Sequence, residues 1–166
     1  MEGKIIVFTG DGKGKTSAAF GMALRAIGHK KSIIIIQFLK KGKYGEIEAI
    51  KKLGGEVYQF GKEEFVIEPS KEDYEMANEA LKFAHEKLMK KPFMLILDEI
   101  NIAMDMGLIK IKDVIDLIGK RGETHIVFTG RNFPEELMEI ADLITEMKKI
   151  KHYYNEGIKA MRGLEY

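Results

Sequence analysis

Residues 4–17, KIIVFTGDGKGKTS, constrain the fold of this 166-residue chain more than any other segment. The segment begins with an apolar run at residues 5–8, which has the length and composition of a buried β-strand. A short loop with three glycines follows, and residues 17–28 then have the composition of a helix. A strand that passes through a glycine loop directly into a helix is the first half of a β-α-β unit, which favours an α/β fold.

The glycine loop has the composition of a phosphate-binding loop. Glycines let backbone N–H groups turn toward an anion, and the N-terminus of the following helix adds partial positive charge. Lys15 can reach a terminal phosphate, and the Thr16 hydroxyl can bind Mg²⁺. We expect a nucleotide to contact Gly10, Asp11, Gly12, Lys13, Gly14, Lys15, Thr16 and Ser17. The alternative is a glycine-rich turn that binds nothing.

The loop differs from the common pattern G-x-x-x-x-G-K-[ST]. The first glycine of that pattern would fall on Thr9, and counted from Gly10 the loop is one residue short. It also contains an additional cation, Lys13. The loop therefore predicts a polyphosphate site, whereas hydrolysis of a γ-phosphate does not follow from it.

Apolar runs of strand length alternate with helical segments along the chain. The run at residues 32–39 contains four consecutive isoleucines, which indicates a strand buried on both faces, as in parallel sheets. Further strands are predicted at residues 56–60, 93–99, 125–131 and 142–148. We expect one domain over residues 1–166 with a doubly wound, mostly parallel sheet of about six strands, the P-loop NTPase (RecA-like) architecture. A tail without clear periodicity begins at about residue 149.

Helix boundaries are predicted at three places. Ser70 and Asp73 form a capping pair for a long helix that reaches Lys90. One or two helices are expected over residues 100–120, and Pro134 is expected to open another.

Composition excludes several classes of function. The formal net charge of +1 provides no basic field, so no nucleic-acid partner is expected. The chain has no cysteine, which excludes disulfides and thiolate metal sites. No apolar run approaches the roughly 20 residues of a membrane span. The first strand begins at once and leaves no room for a signal peptide, so we expect a cytoplasmic protein without a membrane partner.

Polar residues at the carboxyl ends of later strands are candidates for the same site, because ligands bind at that edge of parallel sheets. Asp98 and Glu99 end one predicted strand, where an acid can hold Mg²⁺ opposite Thr16; a helix cap at Asp98 is the alternative. Arg131 ends the next strand and is a candidate phosphate or substrate contact, with a solvated turn as the alternative. Arg25 lies nine residues after Thr16 and either reaches back over the phosphates or is solvated.

Together these motifs resemble the ATP:corrinoid adenosyltransferases of the P-loop type. The resemblance extends nearly from end to end of the chain. It rests on TGDGKGKTSAAFG with Arg25 in RAIG, QFLKKGKYGE, LILDEIN, HIVFTGRNFPEEL, ADLITEM and the tail KH-x4-GIKA-x2-GLEY. The short phosphate loop is characteristic of this family, and generic NTPases have nothing like the tail.

The resemblance implies transfer of the 5′-deoxyadenosyl group of ATP to a Co(I) corrinoid, with release of triphosphate, in the synthesis or salvage of adenosylcobalamin. It implies catalytic roles for Lys15 and Arg25, whose charges would stabilise the departing triphosphate. It also implies Mg²⁺ or Mn²⁺ as a cofactor, held by Thr16, Asp98 and Glu99.

The resemblance further implies that Phe65 belongs to the corrinoid site, where aromatic residues keep the corrinoid four-coordinate and ease reduction of Co(II). Ile67 stands where some relatives carry Trp. The implied partners are ATP and the corrinoid, an electron-donating reductase (flavodoxin-like or flavin-based), and a second copy of the chain in a homodimer. Two other functions stay open from the residues alone: a small-molecule kinase of the P-loop class and a non-catalytic ATP-binding regulator.

Overall fold

The computed structural model describes residues 2–64 and 66–166. Within them a six-stranded sheet has the order β3-β2-β4-β5-β1-β6, and all neighbouring strands are parallel. The strands are β1 (Ile5–Thr9), β2 (Ile33–Phe38), β3 (Glu56–Phe60), β4 (Met94–Asp98), β5 (His125–Thr129) and β6 (Leu143–Glu146). The predicted α/β class and the six-stranded sheet are thus confirmed.

Helices cover both faces of the sheet. One face carries α1 (Lys15–Gly28) and α2 (Gly45–Lys52). The other carries α3 (Lys71–Leu88), α4 (Ile100–Asp105) and α5 (Ile111–Gly119). Short 3₁₀ helices follow at Glu135–Ile140 and Tyr153–Glu156. In the described part of the chain, none of the helices combines the length and the apolar character that crossing a bilayer requires.

The isoleucines of β2 show why this sheet needs two covered faces. Ile33 and Ile35 pack in the core under α1 and α2, whereas Ile34 and Ile36 pack in the core under the other three helices. Successive side chains of a strand point to opposite faces, so an unbroken apolar run supplies both cores at once. Each of the four is at most 3% exposed, and full burial of such a side chain contributes roughly 1.5–3 kcal/mol.

The structure tests the helix starts that were predicted at Ser70 and at Pro134. Ser70 and Asp73 form a capping box that begins α3, as predicted. A helix also begins directly after Pro134, as predicted, but it is a six-residue 3₁₀ helix and not an α-helix. Leu137 is its one buried residue, which leaves little apolar surface to stabilise a longer helix against the sheet.

Because every strand is parallel, the carboxyl ends of all six share one edge of the sheet. The phosphate loop follows β1 at this edge, and β4 ends there at Asp98. β5 lies between β1 and β4 and ends at Thr129. The fold therefore places the glycine loop and the acidic pair at the same edge of the sheet, on either side of the end of β5.

Candidate nucleotide-binding site

A cavity of about 570 Å³ opens at the carboxyl edge of the sheet, between α1, α2 and the C-terminal residues. Its polar lining residues include Lys13, Lys15, Thr16, Ser17, Lys40, Glu46, Glu99 and Glu165. Its apolar lining residues include Phe20, Leu24, Ala49, Ile50, Leu53, Leu164 and Tyr166. The structure thus brings the predicted loop together with Glu99, and it adds Lys40 and the end of the chain.

The glycines of the loop are required by the close approach of the chain after β6. Gly10 has φ +98°, and a Cβ on it would lie 2.4 Å from the Met147 carbonyl oxygen. A Cβ on Gly12 would lie 2.6 Å from the same oxygen. The Gly12 N–H donates a hydrogen bond to this carbonyl at 2.6 Å. Any larger residue at either position would push the segment after β6 off the loop.

The side chains of both lysines in the loop have partners within the protein. Lys15 Nζ donates to the Gly12 carbonyl oxygen at 2.7 Å. Burial lowers the pKa of Lys15, and the charge of Glu99 opposes this shift. Lys13 forms an ion pair with Glu165. A polyphosphate that binds here must therefore replace protein partners on both cations.

Glu165 directly precedes Tyr166, so this ion pair brings the end of the chain to the phosphate loop. One carboxylate oxygen, Oε2, contacts Lys13, and the other, Oε1, is buried without a hydrogen-bond partner among the described residues. The carboxylate therefore occupies the side of the loop on which a phosphate group would meet Lys13.

Asp98 lies at the centre of the polar floor and is fully buried. Its Oδ1 accepts hydrogen bonds from the hydroxyls of Thr16 at 2.8 Å and Thr129 at 2.7 Å. Its Oδ2 accepts one from the Gln37 side-chain amide at 2.8 Å. Hydrogen bonds to a charged group contribute roughly 1.5–3 kcal/mol each, so this arrangement fixes the carboxylate firmly. Asp98 does not cap α4, whose N-cap residue is Glu99.

Glu99 turns toward the cavity from a left-handed backbone conformation with φ +64°. Its Oε2 is buried and has no hydrogen-bond partner among the described residues. Burial raises the pKa of Glu99 to about 7, and the neighbouring charge of Asp98 adds to this rise. The charges of Lys40 and Lys15 act in the opposite direction.

The donor set fits a hard divalent cation. Mg²⁺ prefers oxygen ligands and is usually bound by one or two carboxylates together with substrate phosphates. Glu99 offers a free carboxylate oxygen, while Thr16 offers a hydroxyl that Asp98 already orients. No group of three or more histidine, cysteine or acidic side chains able to hold a metal occurs in residues 2–64 and 66–166. Phosphate oxygens would therefore have to complete the coordination.

Asp11 and Arg131 lie beside the cavity and are not among its described lining residues. The Asp11 carboxylate accepts a hydrogen bond from the Lys149 N–H at 3.0 Å, which is the main reason that the pKa of Asp11 is lowered. Arg131 is exposed, and its positive charge lowers the pKa of Lys15. Asp11 belongs to the loop, Arg131 lies near enough to act on Lys15, and the contact of either residue with a nucleotide stays a prediction.

Arg25 is not brought to this cavity. The helix α1 begins at the phosphate loop and runs back along the sheet, and ten residues at 1.5 Å per residue carry Arg25 roughly 15 Å from Lys15. Arg25 instead lines a separate pocket with Lys4 and His125, at the amino ends of the strands. Its predicted contact with phosphate therefore has no geometric support within one chain.

Phe65 lies outside the residues that the structure describes, so its place in a corrinoid site stays a prediction. Ile67 is 87% exposed.

Sequence reasoning did not single out Lys40 or Glu165. Lys40 follows the end of β2 as the phosphate loop follows β1, and that position at the carboxyl edge could have indicated it. The partner of Glu165 is 152 residues away, and no local pattern predicts such a pair.

The fold and the cavity define the class of the protein: an α/β nucleotide-binding domain with a phosphate loop after its first strand. A family model described as ATP:corrinoid adenosyltransferase BtuR/CobO/CobP matches residues 1–166. The chain belongs to this family.

Curated relatives agree with the family model. A corrinoid adenosyltransferase of Sinorhizobium sp is 43% identical over 173 residues, which cover 99% of this chain and 81% of the relative. The corrinoid adenosyltransferase of Pseudomonas aeruginosa is 36% identical, with 99% and 84% covered. Corrinoid adenosyltransferase CobA of Salmonella typhimurium is 34% identical, with 99% and 86% covered. The relatives thus match this chain over nearly its whole length.

Among solved structures, an ATPase from the type III secretion system of pathogenic bacteria is similar, with a TM-score of 0.39 and 14% identity. The match covers 95% of this chain and 49% of that one. It is too distant to bear on function.

Proposed function

We propose that this chain transfers the 5′-deoxyadenosyl group of ATP to the Co(I) centre of a corrinoid and releases triphosphate. The observation that carries the proposal is the short phosphate loop at the cavity, with Lys13 and Lys15 on it and Glu99 facing it. Membership of the whole chain in the ATP:corrinoid adenosyltransferase family supports the choice of substrates.

In the proposed step, an electron pair of Co(I) forms a bond to C5′ of ATP. The C5′–O bond breaks, and its electron pair leaves with the triphosphate. Co(I) has no proton to lose, so the step needs no general base. It needs alignment of C5′ with cobalt and positive charge at the leaving oxygen. Lys13 and Lys15 supply that charge once the triphosphate has replaced Glu165 and the Gly12 carbonyl as their partners.

We also propose Mg²⁺, or Mn²⁺ in its place, as the cofactor. The buried free oxygen of Glu99 and the oriented hydroxyl of Thr16 support this assignment, with Asp98 holding Thr16 from behind. When bound, the cation would offset negative charge on the phosphates. Glu99 then acts through its charge and not as a proton acceptor.

We also propose two protein partners, a reductant and a second copy of the chain. Co(I) must be generated by a reductant, and we propose a flavodoxin-like or flavin-based electron donor.

We propose a homodimer as well, supported by the outer strand β6, on which Leu143 and Ile144 are 47% and 39% exposed. An edge strand with exposed apolar residues is suited to being covered by another chain. Light scattering should show a dimer that Ile144→Lys weakens, and a wild-type monomer would contradict this part.

The reaction itself is tested by incubating the protein with ATP, Mg²⁺ and chemically reduced cobalamin. Adenosylcobalamin together with triphosphate is the expected result. ADP would indicate the kinase alternative, which requires a phosphoryl acceptor. Binding of ATP without any product would indicate the regulator and would overturn the proposed reaction. A cytoplasmic location stays a prediction.

A further inference from the structure

The apolar run of β2 is interrupted by one buried amide, Gln37, which is fully inaccessible to solvent. In the register of the sheet Gln37 lies directly beside Gln59 of β3 and Asp98 of β4. Register partners on neighbouring strands point to the same face, so these three polar side chains form a row across the sheet. The row lies on the face of α1, the helix that carries Thr16.

Hydrogen bonds connect the three side chains of this row, and each donor points toward Asp98. The Gln37 side-chain nitrogen Nε2 donates to Asp98 Oδ2 at 2.8 Å, and the Gln59 side-chain nitrogen Nε2 donates to the Gln37 side-chain oxygen Oε1 at 2.9 Å. The Gln59 side-chain oxygen Oε1 accepts from the backbone N–H of Gly42 at 3.4 Å. An ionised carboxylate can only accept, so it requires the nitrogen of Gln37 to face it. That choice then sets the orientation of Gln59.

The far end of the row reaches the loop after β2. Lys41 N–H donates to the Lys62 carbonyl oxygen at 3.0 Å, which joins this loop to the chain after β3. A Cβ on Gly61 would lie 2.1 Å from the Lys40 backbone nitrogen, so the two segments are in close contact. Lys40 itself lines the cavity beside Glu99. The row therefore runs from a cavity-lining loop to the carboxylate that orients Thr16.

We propose that Gln37 and Gln59 are positioning residues that set the orientation of Asp98 and thereby the affinity of the site for Mg²⁺ with ATP. This inference rests on the proposed function, since it concerns the cation bound with the nucleotide. Neither glutamine is among the described residues that line the cavity, so both act through Asp98. Partners that orient metal-binding groups typically change metal affinity by 10–100-fold when they are replaced.

The test compares ATP binding with and without Mg²⁺ in three variants, by calorimetry. Gln37→Leu removes the donor to Asp98 and should raise the Mg²⁺ concentration needed for half-maximal enhancement about tenfold. Gln59→Met breaks the row one step away from Asp98, and we expect about a threefold change. ATP affinity without Mg²⁺ should stay within about twofold of wild type in both.

Tyr58→Phe is the matched control on the same edge strand. The Tyr58 hydroxyl bonds Glu56 and Lys87 and takes no part in the row, so this variant should leave the Mg²⁺ dependence unchanged. Equal losses with and without Mg²⁺ would show that the glutamines serve packing only and would overturn the inference. If Gln37→Leu does not fold, Gln59→Met decides, and an unchanged Mg²⁺ dependence in it would also overturn the inference. A wild-type protein that binds no ATP would overturn the proposed function as well.

Discussion

The floor and the cover of the cavity are built in different ways. The floor consists of strand ends, where Asp98 and Thr129 are fully buried and Asp98 accepts hydrogen bonds from the hydroxyls of Thr129 and Thr16. The cover is the tail after β6, which contains one short 3₁₀ helix among the described residues and leaves Ile150 93% exposed and Leu164 62% exposed. The floor is preorganised for chemistry, whereas the cover is held by contacts that a polyanion can replace.

The contacts of the cover are mainly electrostatic. Glu165 pairs with Lys13, and the Lys149 N–H donates to Asp11. The Lys13 and Glu165 side chains are 42% and 19% exposed, so water and salt screen this ion pair in part. A bound triphosphate offers Lys13 more negative charge than one carboxylate does. The comparison therefore predicts large effects of mutation in the floor and the loop and small effects in the cover.

The largest effect is expected for Lys15→Ala. This variant removes the cation at the leaving triphosphate, a charge-assisted contact of roughly 1.5–3 kcal/mol, which corresponds to a loss of at least tenfold in kcat/KM for ATP. Steady-state rates with chemically reduced cobalamin measure it. Lys112→Ala, which changes an exposed lysine of α5, serves as the control. Near-normal activity of Lys15→Ala would contradict the role of the loop.

Glu99→Gln tests the floor through the proposed Mg²⁺ ion. The amide keeps the size of the side chain and removes its charge, so the Mg²⁺ concentration needed for half-maximal activity should rise about tenfold. The pH profile of kcat should gain no new ionisation. Glu139→Gln, on the exposed 3₁₀ helix after β5, should match wild type. Loss of an acidic limb from the profile at saturating Mg²⁺, together with an unchanged Mg²⁺ requirement, would point to proton transfer instead.

Glu165→Gln tests the cover in the opposite direction. Without the tail carboxylate, Lys13 is free to meet a polyphosphate, so the dissociation constant of inorganic triphosphate should fall about threefold. Titration calorimetry at low salt gives this value. Glu156→Gln removes a tail carboxylate that pairs with exposed Lys151 and should have no effect. Weaker binding in Glu165→Gln would mean that the carboxylate belongs to the binding site.

The smallest effect concerns Asp142, which joins the sheet to the segment that leads into the cover. Its oxygens accept from Lys4 Nζ at 2.7 Å and the Ile5 N–H at 2.8 Å, and the bond from Lys4 is the main cause of its lowered pKa. An acid with a lowered pKa in the folded state stabilises the fold above its unfolded value near 3.8, and this contribution is lost as pH falls through the folded pKa.

Asp142→Asn should therefore lower Tm by roughly 1–2 °C at pH 7, and the difference from wild type should shrink as the pH falls below about 3.8. Thermal melts followed by circular dichroism across this range measure the effect. A difference that is constant with pH would show that the charge of Asp142 contributes nothing.

The fold could be predicted because its signals are local. The apolar run of β2 indicates a strand buried on both faces. The glycine loop between a strand and a helix indicates a phosphate-binding site. The position of Asp98 opposite Thr16 followed from one rule, that parallel strands share a carboxyl edge, whereas the direct hydrogen bond between them was not predicted. Local composition and this rule were enough for the floor of the site.

The parts of the site that were not predicted depend on contacts between residues that are distant in sequence. The contact of Gly12 with the Met147 carbonyl and the ion pair of Lys13 with Glu165 join the two ends of the chain, and no periodicity encodes them. Gln37 could not be connected to Asp98 before the register of β2 against β4 was known. Arg25 was placed at the phosphates by resemblance, and the length of α1 puts it at the opposite edge of the sheet.

Hydrogen exchange followed by mass spectrometry, with and without inorganic triphosphate and Mg²⁺, compares the floor and the cover in one experiment. We expect the amides of residues 157–166 to exchange faster when triphosphate is bound, because the ligand replaces Glu165 on Lys13. The amides of residues 94–98 should exchange slowly in both states, since they lie in the centre of the sheet. Slower exchange of residues 157–166 on binding would contradict a cover that triphosphate displaces.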